Sequence, residues 1–94
     1  MEFEWDENKR IANLEKHGFD FAHAPLIWTC PMLPVGMRES EGERRHIAVA
    51  VKPPDETIIV VVYTLRPAVI RIISIRRARH YERAYYQKAF GRGT

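Results

Sequence analysis

Apolar residues along the chain alternate in patterns that predict its secondary structure. Two runs rich in β-branched residues, 58–65 and 69–75, flank a short break at Arg66-Pro67-Ala68. β-branched side chains pack well on a pleated surface, and proline cannot donate a hydrogen bond within a sheet. The two runs are therefore predicted to form a hairpin. Strict alternation in the second run places Arg71 on one face and Ser74 and Arg76 on the other, together with Ile70 and Ile72.

The amino-terminal segment combines a short strand with a helix. Phe3 and Trp5 alternate with glutamates, which predicts a strand with one apolar face. Asp6 is a suitable N-cap, and Gly18 can adopt the left-handed conformation that often ends a helix. A helix is therefore predicted over about residues 7–17.

Prolines and charges complicate the next part of the chain. Asp20 is a second N-cap, but Pro25 removes an amide near the fifth position of the helix that follows. We therefore expect a second helix that begins late or is distorted. Prolines on both sides of residues 32–33 allow only a brief edge strand there. The charged segment 38–45, which contains Gly42, is predicted to be a loop.

The remaining elements complete an α+β domain. Residues 46–51 alternate as a strand, 52–57 form a turn, and 78–89 have a helical apolar stripe. Short connections predict a small antiparallel β-sheet, packed against the amino-terminal helices with a carboxy-terminal helix. Residues 1–90 are expected to form this single domain, and 91–94 a frayed tail. One contiguous core is expected from Ile47, Val49, Val60, Val62, Ile70 and Ile72.

Charge is concentrated in one segment of the sequence. The 94 residues have a formal net charge of +3, yet residues 66–83 hold six arginines and one glutamate, a net charge of +5. Such concentration favours a polyanion or an acidic protein partner, although a solvated basic face is the alternative. The single cysteine, Cys30, excludes an intrachain disulfide. With no signal peptide and no long apolar run, the chain is expected to be soluble and cytoplasmic, without a membrane partner.

The sequence offers little support for metal or nucleotide chemistry. The four histidines match no HExxH or paired Cys/His spacing, so no metal site and no cofactor are expected. Cys30 follows an apolar segment, where a thiol usually serves packing. No Gly-rich phosphate-binding loop is present.

Arginines near the end of the predicted hairpin form the main candidate site. Arginine binds phosphate through two parallel hydrogen bonds and stays charged at every cellular pH. Metal-free RNA cleavage needs such charges together with groups that transfer protons at the 2′ and 5′ oxygens. The alternative for Glu82 is a solvated ion pair on its helix. The candidates are Arg71, Ser74, Arg76, Arg77, Glu82 and Tyr86.

Lys16 and His17 form a second candidate site. A histidine at a helix end titrates near neutral pH and can meet a phosphate or a labile proton. Alternatively, both cations only complement the carboxyl end of the helix. The sequence leaves these two interpretations open.

Segments along nearly the whole chain resemble the BrnT family of type II toxins. The opening resembles the family in Phe3-Glu4-Trp5-Asp6, Asn8-Lys9, Asn13, Lys16-His17-Gly18 and Phe21. The middle resembles it in Glu43-x-Arg45, and the closing block begins with Val61-Val62-Tyr63-Thr64. The closing block resembles it in Arg71-Ile72-Ile73-Ser74-x-Arg76-Arg77-Ala78, Glu82 and Tyr86. The sequence departs from the family pattern at Pro25, Ile75, Arg79 and Tyr81.

The resemblance implies a RelE-like ribonuclease fold and RNA cleavage that inhibits translation. It also implies a cognate BrnA-type antitoxin, through which alone the complex binds operator DNA. Combined with the residue chemistry, it gives these catalytic candidates: Lys16, His17, Arg71, Arg76, Arg77 and Glu82. The substrate-binding candidates are Arg45, Ser74, Arg79 and Tyr86. We expect Arg76 and Arg77 to hold the scissile phosphate, with Arg71 or Arg45 opposite them.

Two other functions compete with a metal-independent endoribonuclease. The basic face can belong to a non-catalytic module that binds an acidic antitoxin or nucleic acid. The chain can also be an inactivated toxin that serves its antitoxin as a co-repressor subunit. Growth arrest and RNA degradation on expression without the partner distinguish the ribonuclease from both.

Overall fold

The protein is built on a mixed five-stranded sheet that carries helices on both faces. A computed structural model describes all 94 residues. The α+β class and the predicted order of strands and helices are confirmed, with one additional 3₁₀ turn. The elements are β1 (Glu2–Trp5), α1 (Glu7–His17), the 3₁₀ turn (Phe21–His23), α2 (Ala24–Ile27), β2 (Leu33–Ser40), β3 (Glu43–Lys52), β4 (Thr57–Arg66), β5 (Val69–Arg77) and α3 (His80–Phe90).

The sheet has the strand order β1-β5-β4-β3-β2. Strands β3 to β5 form an antiparallel meander, as predicted, and β2 extends it, but β1 lies parallel to β5, from Glu2 opposite Val69 to Trp5 opposite Ile72. The prediction of a purely antiparallel sheet was therefore wrong at β1. A four-residue strand with one apolar face has the same pattern in either orientation, so its direction depends on tertiary packing.

Strands β2 and β3 form a hairpin where a charged loop was predicted. They are joined by Glu41 and Gly42, whose φ angles of 52° and 75° suit the two central residues of a tight hairpin turn. The predicted loop at 38–45 was wrong, and the predicted edge strand exists but is eight residues long and not brief. Strand β2 is a sheet edge with mostly exposed side chains, so its sequence has no apolar face to indicate a strand. A register shift between Pro34 and Gly36 accommodates the proline.

The core consists of two clusters on opposite faces of the sheet, here called the α2 face and the α3 face. On the α2 face, the buried residues are Phe21, Ala24, Ile27, Ala48, Ala50, Ile59, Val61, Ile70, Ile72 and Ile75. On the α3 face, they are Val49, Val51, Ile58, Val60, Ala78 and Tyr86. The prediction of one contiguous core was wrong, because helices cover both faces and neighbouring strand residues are buried on opposite sides.

A bulge in β5 decides which of its side chains share a face. Tyr63 lies opposite Ile72 and Val62 lies opposite Ser74, so Ile73 is an extra residue in β5. The predicted strict alternation was therefore wrong. Because of the bulge, Ile72 and Ile75 both reach the α2 face, whereas a different set shares the α3 face. That set is Arg71, Ser74 and Arg76.

Helix α1 continues the sheet edge where β1 ends. The side-chain amide of Asn13 donates to the Ile75 carbonyl at 2.9 Å, and its oxygen accepts from the Ile75 N–H at 3.2 Å. The buried Asn13 side chain therefore satisfies the two backbone groups of Ile75 that a neighbouring strand would otherwise bond. None of the three helices has the length and apolar character needed to cross a membrane.

The last residues are bonded to the start of β4, and the predicted frayed tail was wrong. The Ile58 N–H donates to the Thr94 carbonyl at 2.9 Å, and the Thr94 N–H donates to the Glu56 carbonyl at 2.8 Å. Arg92 adds an ion pair with Glu56 at 2.6 Å. Gly93 has a φ of 101°, and a Cβ there would lie 2.6 Å from Ile58 Cγ1. Only glycine allows this close approach.

Candidate functional site

One cross-strand row places polar side chains on all five strands of the α3 face. Residues directly opposite each other in a sheet have Cβ atoms about 4.5–5.5 Å apart. Helix α3 covers the other end of this face, over Val49, Val51, Ile58 and Val60, so the row lies beside the helix on an open half. The row, here called the arginine row, contains Arg38, Arg45, Thr64, Arg71 and Glu4.

Carboxylates partly neutralise one end of the arginine row. Glu4 Oε2 accepts hydrogen bonds from Arg71 Nη1 at 2.7 Å and from Arg66 Nη1 at 3.0 Å. Arg66 Nη2 donates to Glu43 Oε1 at 2.7 Å. The hydrogen bond from Arg66 is the main reason that the pKa of Glu43 lies below its usual range. Glu43 is therefore ionised at neutral pH, and its carboxylate is a proton acceptor beside the arginines.

Two polar groups in the row lack hydrogen-bond partners. The buried Nε of Arg45 has no acceptor in the protein, and no carboxylate forms an ion pair with this arginine. The hydroxyl of Thr64 is also buried without a hydrogen bond of good geometry, although it lies close enough to Glu43 to help lower the pKa of that carboxyl. A buried donor without a partner costs about 1–3 kcal/mol, so these groups are poised to bind an acceptor from outside.

A cleft of about 180 Å³ opens above this part of the sheet. Its walls combine several cations, which suit a phosphate group, with a few carboxylate and hydroxyl oxygens. These oxygens suit proton exchange with the ester oxygens of that phosphate. Lys9 reaches the cleft from α1, at a position that no local pattern predicted. The lining residues are Lys9, Ser40, Glu41, Glu43, Arg45, Arg66, Arg71 and Ile73.

Arg76 and Glu82 form a separate ion pair where β5 leads into α3. Both Nη atoms of Arg76 donate to the Glu82 carboxylate at 2.9 Å, and the Arg79 N–H donates to Glu82 Oε1 at 2.7 Å. Hydrogen bonding from Arg76 lowers the pKa of Glu82, and that of Arg76 is raised in turn. Both carboxylate oxygens are occupied and the side chain is only 8% exposed. The pair fixes the start of α3 and leaves Glu82 little freedom to exchange protons.

Three further predicted residues lie apart from the arginine row. Arg77 lies opposite Ile59 on the α2 face, whereas Arg76 lies opposite Val60 on the α3 face, so the two do not converge on one phosphate. Tyr86 is fully buried and its hydroxyl donates to the Pro31 carbonyl at 2.8 Å. Arg79 is exposed at the N-cap of α3.

Lys16 and His17 lie at the far end of α1 from the cleft. Lys9 lines the cleft and Asn13 contacts Ile75, so α1 advances along β5 toward Arg77. His17 is eight residues beyond Lys9, which is about 12 Å along a helix. The structure therefore brings Arg45, Arg71 and the half-buried Ser74 onto one face, but not Lys16 or His17.

Thr64 and Arg66 were not among the predicted site residues, although the hairpin contains the signal for both. A two-residue turn at Pro67-Ala68 places Arg66 opposite Val69, and counting back places Thr64 opposite Arg71. The position of Lys9 has no such signal, since it depends on how α1 packs against the sheet edge. No group of three or more His, Cys, Asp or Glu side chains is arranged to hold a metal ion.

The fold and this face define a small α+β domain with an open arginine-rich sheet surface suited to anions. A model of the family described as "Ribonuclease toxin, BrnT, of type II toxin-antitoxin system" matches residues 5–82, from the end of β1 to the first turn of α3. The chain belongs to this family of ribonuclease toxins, as its resemblance predicted. No curated protein matches the sequence.

Proposed function

We propose that the protein is a metal-independent endoribonuclease that cuts RNA in the cytoplasm and so inhibits translation, with a RelE-like arrangement of sheet and helices. Membership of a ribonuclease toxin family supports the reaction class. The observation that carries the site is the arginine row, in which the buried Nε of Arg45 has no acceptor. A phosphate oxygen would supply that acceptor.

In this proposal Arg45 and Arg71 bind the scissile phosphate. They lie on either side of Thr64, directly opposite it on adjacent strands, so their guanidinium groups can approach one phosphate from two sides. Attack on phosphorus increases the negative charge on its non-bridging oxygens. Fixed cations stabilise that charge more strongly than they stabilise the starting phosphodiester.

Proton transfer is assigned to groups in the same cleft. The attacking 2′-hydroxyl must lose a proton, and Glu43 is an ionised carboxylate beside Arg45 and Arg66. The departing 5′-oxygen must gain a proton, and the Lys9 ammonium is a cation that lines the same cleft. In this scheme Lys16, His17, Arg77 and Arg79 lie outside the cleft and take no part in binding the scissile phosphate or in proton transfer.

Residues of the helix junction take a positioning role in the proposal. Arg76 and Glu82 hold the first turn of α3 against β5, and the buried Tyr86 anchors the same helix to Pro31. Ser74 lies between Arg71 and Arg76 on the α3 face, where it can contact the RNA backbone. These contacts keep α3 at a fixed distance from the arginine row.

Expression of the chain without an antitoxin tests this function. We expect growth arrest, loss of RNA integrity on a gel, and RNA cleavage by the purified protein in the presence of EDTA. Cleavage that EDTA abolishes would contradict the metal-independent chemistry. A wild-type protein that cuts no RNA, free or bound to ribosomes, would overturn the proposal.

The partner in this proposal is a BrnA-type antitoxin, which alone contacts operator DNA in the complex. Several cations have no acidic partner and are available to an acidic or amphipathic segment of such a protein. They are Arg38, Arg45, Arg77, Arg79 and Arg83. One observation favours the competing function of a non-catalytic binding module: Glu4 already pairs with Arg71 and Arg66.

A further inference from the structure

Two exposed tyrosines form a pair on helix α3. Tyr81 is 54% exposed and Tyr85 is 60% exposed. Their ring centroids are 6.3 Å apart and the rings are nearly perpendicular, at 89°. The residues are four apart, so they share one side of the helix. Neither ring belongs to the two buried core clusters, and their packing against each other leaves outer ring surfaces open.

The hydrogen bonds of α3 show which way this side of the helix faces. Glu82 and Tyr86 are buried against the sheet. Gln87 donates to the Gly93 carbonyl at 3.1 Å, so the side that carries Gln87 faces the carboxy-terminal tail. Successive helix residues are about 100° apart, which places Tyr81 and Tyr85 on the opposite side from Gln87.

That opposite side borders the open half of the α3 face. The tail is bonded to Glu56 and Ile58, at the end of the sheet where β3 turns into β4. Arg45 and Thr64 lie toward the other ends of these two strands. The tyrosines are therefore on the side of α3 that faces the arginine row, and Tyr81 lies close enough to Arg76 to contribute to the raised pKa of that guanidinium.

We propose that Tyr81 and Tyr85 stack against bases of single-stranded RNA whose phosphates lie along the arginine row. A row of cations beside exposed aromatic rings is the combination that single strands require, because cations track the backbone and rings stack on the bases. In a duplex the bases already stack on each other, so their faces are not available to the tyrosines. The inference rests on the proposed function and adds its substrate class: unpaired RNA next to the cut.

The test measures binding of a single-stranded RNA oligonucleotide whose 2′-oxygens are methylated, so that cleavage cannot occur. Fluorescence anisotropy gives the Kd for wild type, Tyr81→Leu, Tyr85→Leu and both tyrosine-to-phenylalanine variants. Loss of stacking on one base weakens binding by about 5- to 100-fold. We expect that loss for each leucine variant, wild-type affinity for the phenylalanine variants, and no effect of leucine at either position on duplex binding.

A matched control is Ala84→Leu, which places the same side chain on an exposed position of the same helix. It should bind like wild type. In cleavage assays of an unmodified strand, the leucine variants should raise KM and leave kcat near wild type, because the rings act away from the phosphate.

Two results would overturn the inference without touching the proposed function. One is wild-type affinity for RNA in the Tyr81→Leu, Tyr85→Leu double variant while Arg71→Ala abolishes cleavage. The other is that the leucine variants bind the antitoxin more weakly but bind RNA like wild type, which would mean that the tyrosines contact the antitoxin and not RNA. If wild type neither binds nor cuts single-stranded RNA, the inference and the proposed function fail together.

Discussion

Replacing Glu82 with glutamine separates the structural role of the Arg76–Glu82 pair from a catalytic one. The substitution keeps the shape of the side chain but removes the charge that accepts two hydrogen bonds from Arg76 and one from the Arg79 N–H. Exposed ion pairs contribute about 0–1 kcal/mol, whereas breaking a buried pair costs about 3–5 kcal/mol. The Arg76 side chain is 28% exposed and that of Glu82 is 8% exposed. We therefore expect Glu82→Gln to lower the free energy of unfolding by about 2–4 kcal/mol.

Urea unfolding measures this loss directly, and a domain of this size would also melt at least about 8 °C lower. Lys88→Ala, on the exposed last turn of α3, serves as the control for changing a charge on this helix. Arg76→Ala should destabilise similarly, and the double variant should lose less than the sum of the two. Losses below about 0.5 kcal/mol for Glu82→Gln would refute the structural role. Stable Arg76→Ala protein without cleavage would instead restore Arg76 as a phosphate ligand.

The same pair predicts a dependence of stability on pH. The pKa of Glu82 is lower in the folded protein than in the unfolded chain, where it is about 4.3. The contribution of the Glu82 carboxylate to the free energy of unfolding is therefore complete above its pKa in the unfolded chain. That contribution disappears as the pH falls through its lower pKa in the folded protein. The difference in unfolding free energy between wild type and Glu82→Gln should be largest near pH 6 and shrink toward pH 3. A difference that does not change over this range would contradict the assignment.

Three further predictions concern the tail, the core and the partner. Gly93→Ala should cost about 1–3 kcal/mol in urea unfolding, since φ is 101° and the new Cβ would meet Ile58; Gly36→Ala, with open space around it, should cost less. Amide exchange should be slowest at 58–65 and 70–75, the central strands covered on both faces, and faster exchange there than in α1 would contradict the described packing. Association with the antitoxin should slow as salt increases, because exposed charges are screened within about 8 Å at physiological ionic strength; a flat dependence would mean a mainly apolar interface.

Local signals in the sequence were sufficient for much of the fold. Asp6 accepts from the N–H groups of Asn8 and Lys9, and Gly18 ends α1 in the left-handed conformation, as their residue types predicted. Pro25 lies in the first turn of a four-residue helix that follows a 3₁₀ turn, which is the late and distorted start that the proline indicated. These features depend on neighbours in the chain, so a sequence pattern contains them.

Features that depend on distant contacts were missed. The bulge at Ile73 reverses which side chains of β5 face α3, and without it Arg71 and Ser74 would point to opposite faces. Arg76 was predicted to hold the phosphate and Glu82 to be catalytic or to form a solvated helix pair, but the two side chains bind each other where β5 leads into α3. Arg45 and Arg71 were among the candidates, but only the register of three strands places them on either side of Thr64.

Single-turnover cleavage of an RNA strand by Arg45→Ala and Arg71→Ala, in EDTA, tests most directly whether the arginine row holds the scissile phosphate. The matched control is Arg44→Ala, because Arg44 is exposed and its neighbour Arg45 points to the opposite face of β3. Urea unfolding of each variant shows that the fold is intact. We predict that Arg45→Ala and Arg71→Ala each lower the cleavage rate by about 10²–10³-fold while Arg44→Ala cuts like wild type. Wild-type cleavage by a folded protein in which both Arg45 and Arg71 are replaced would contradict the account.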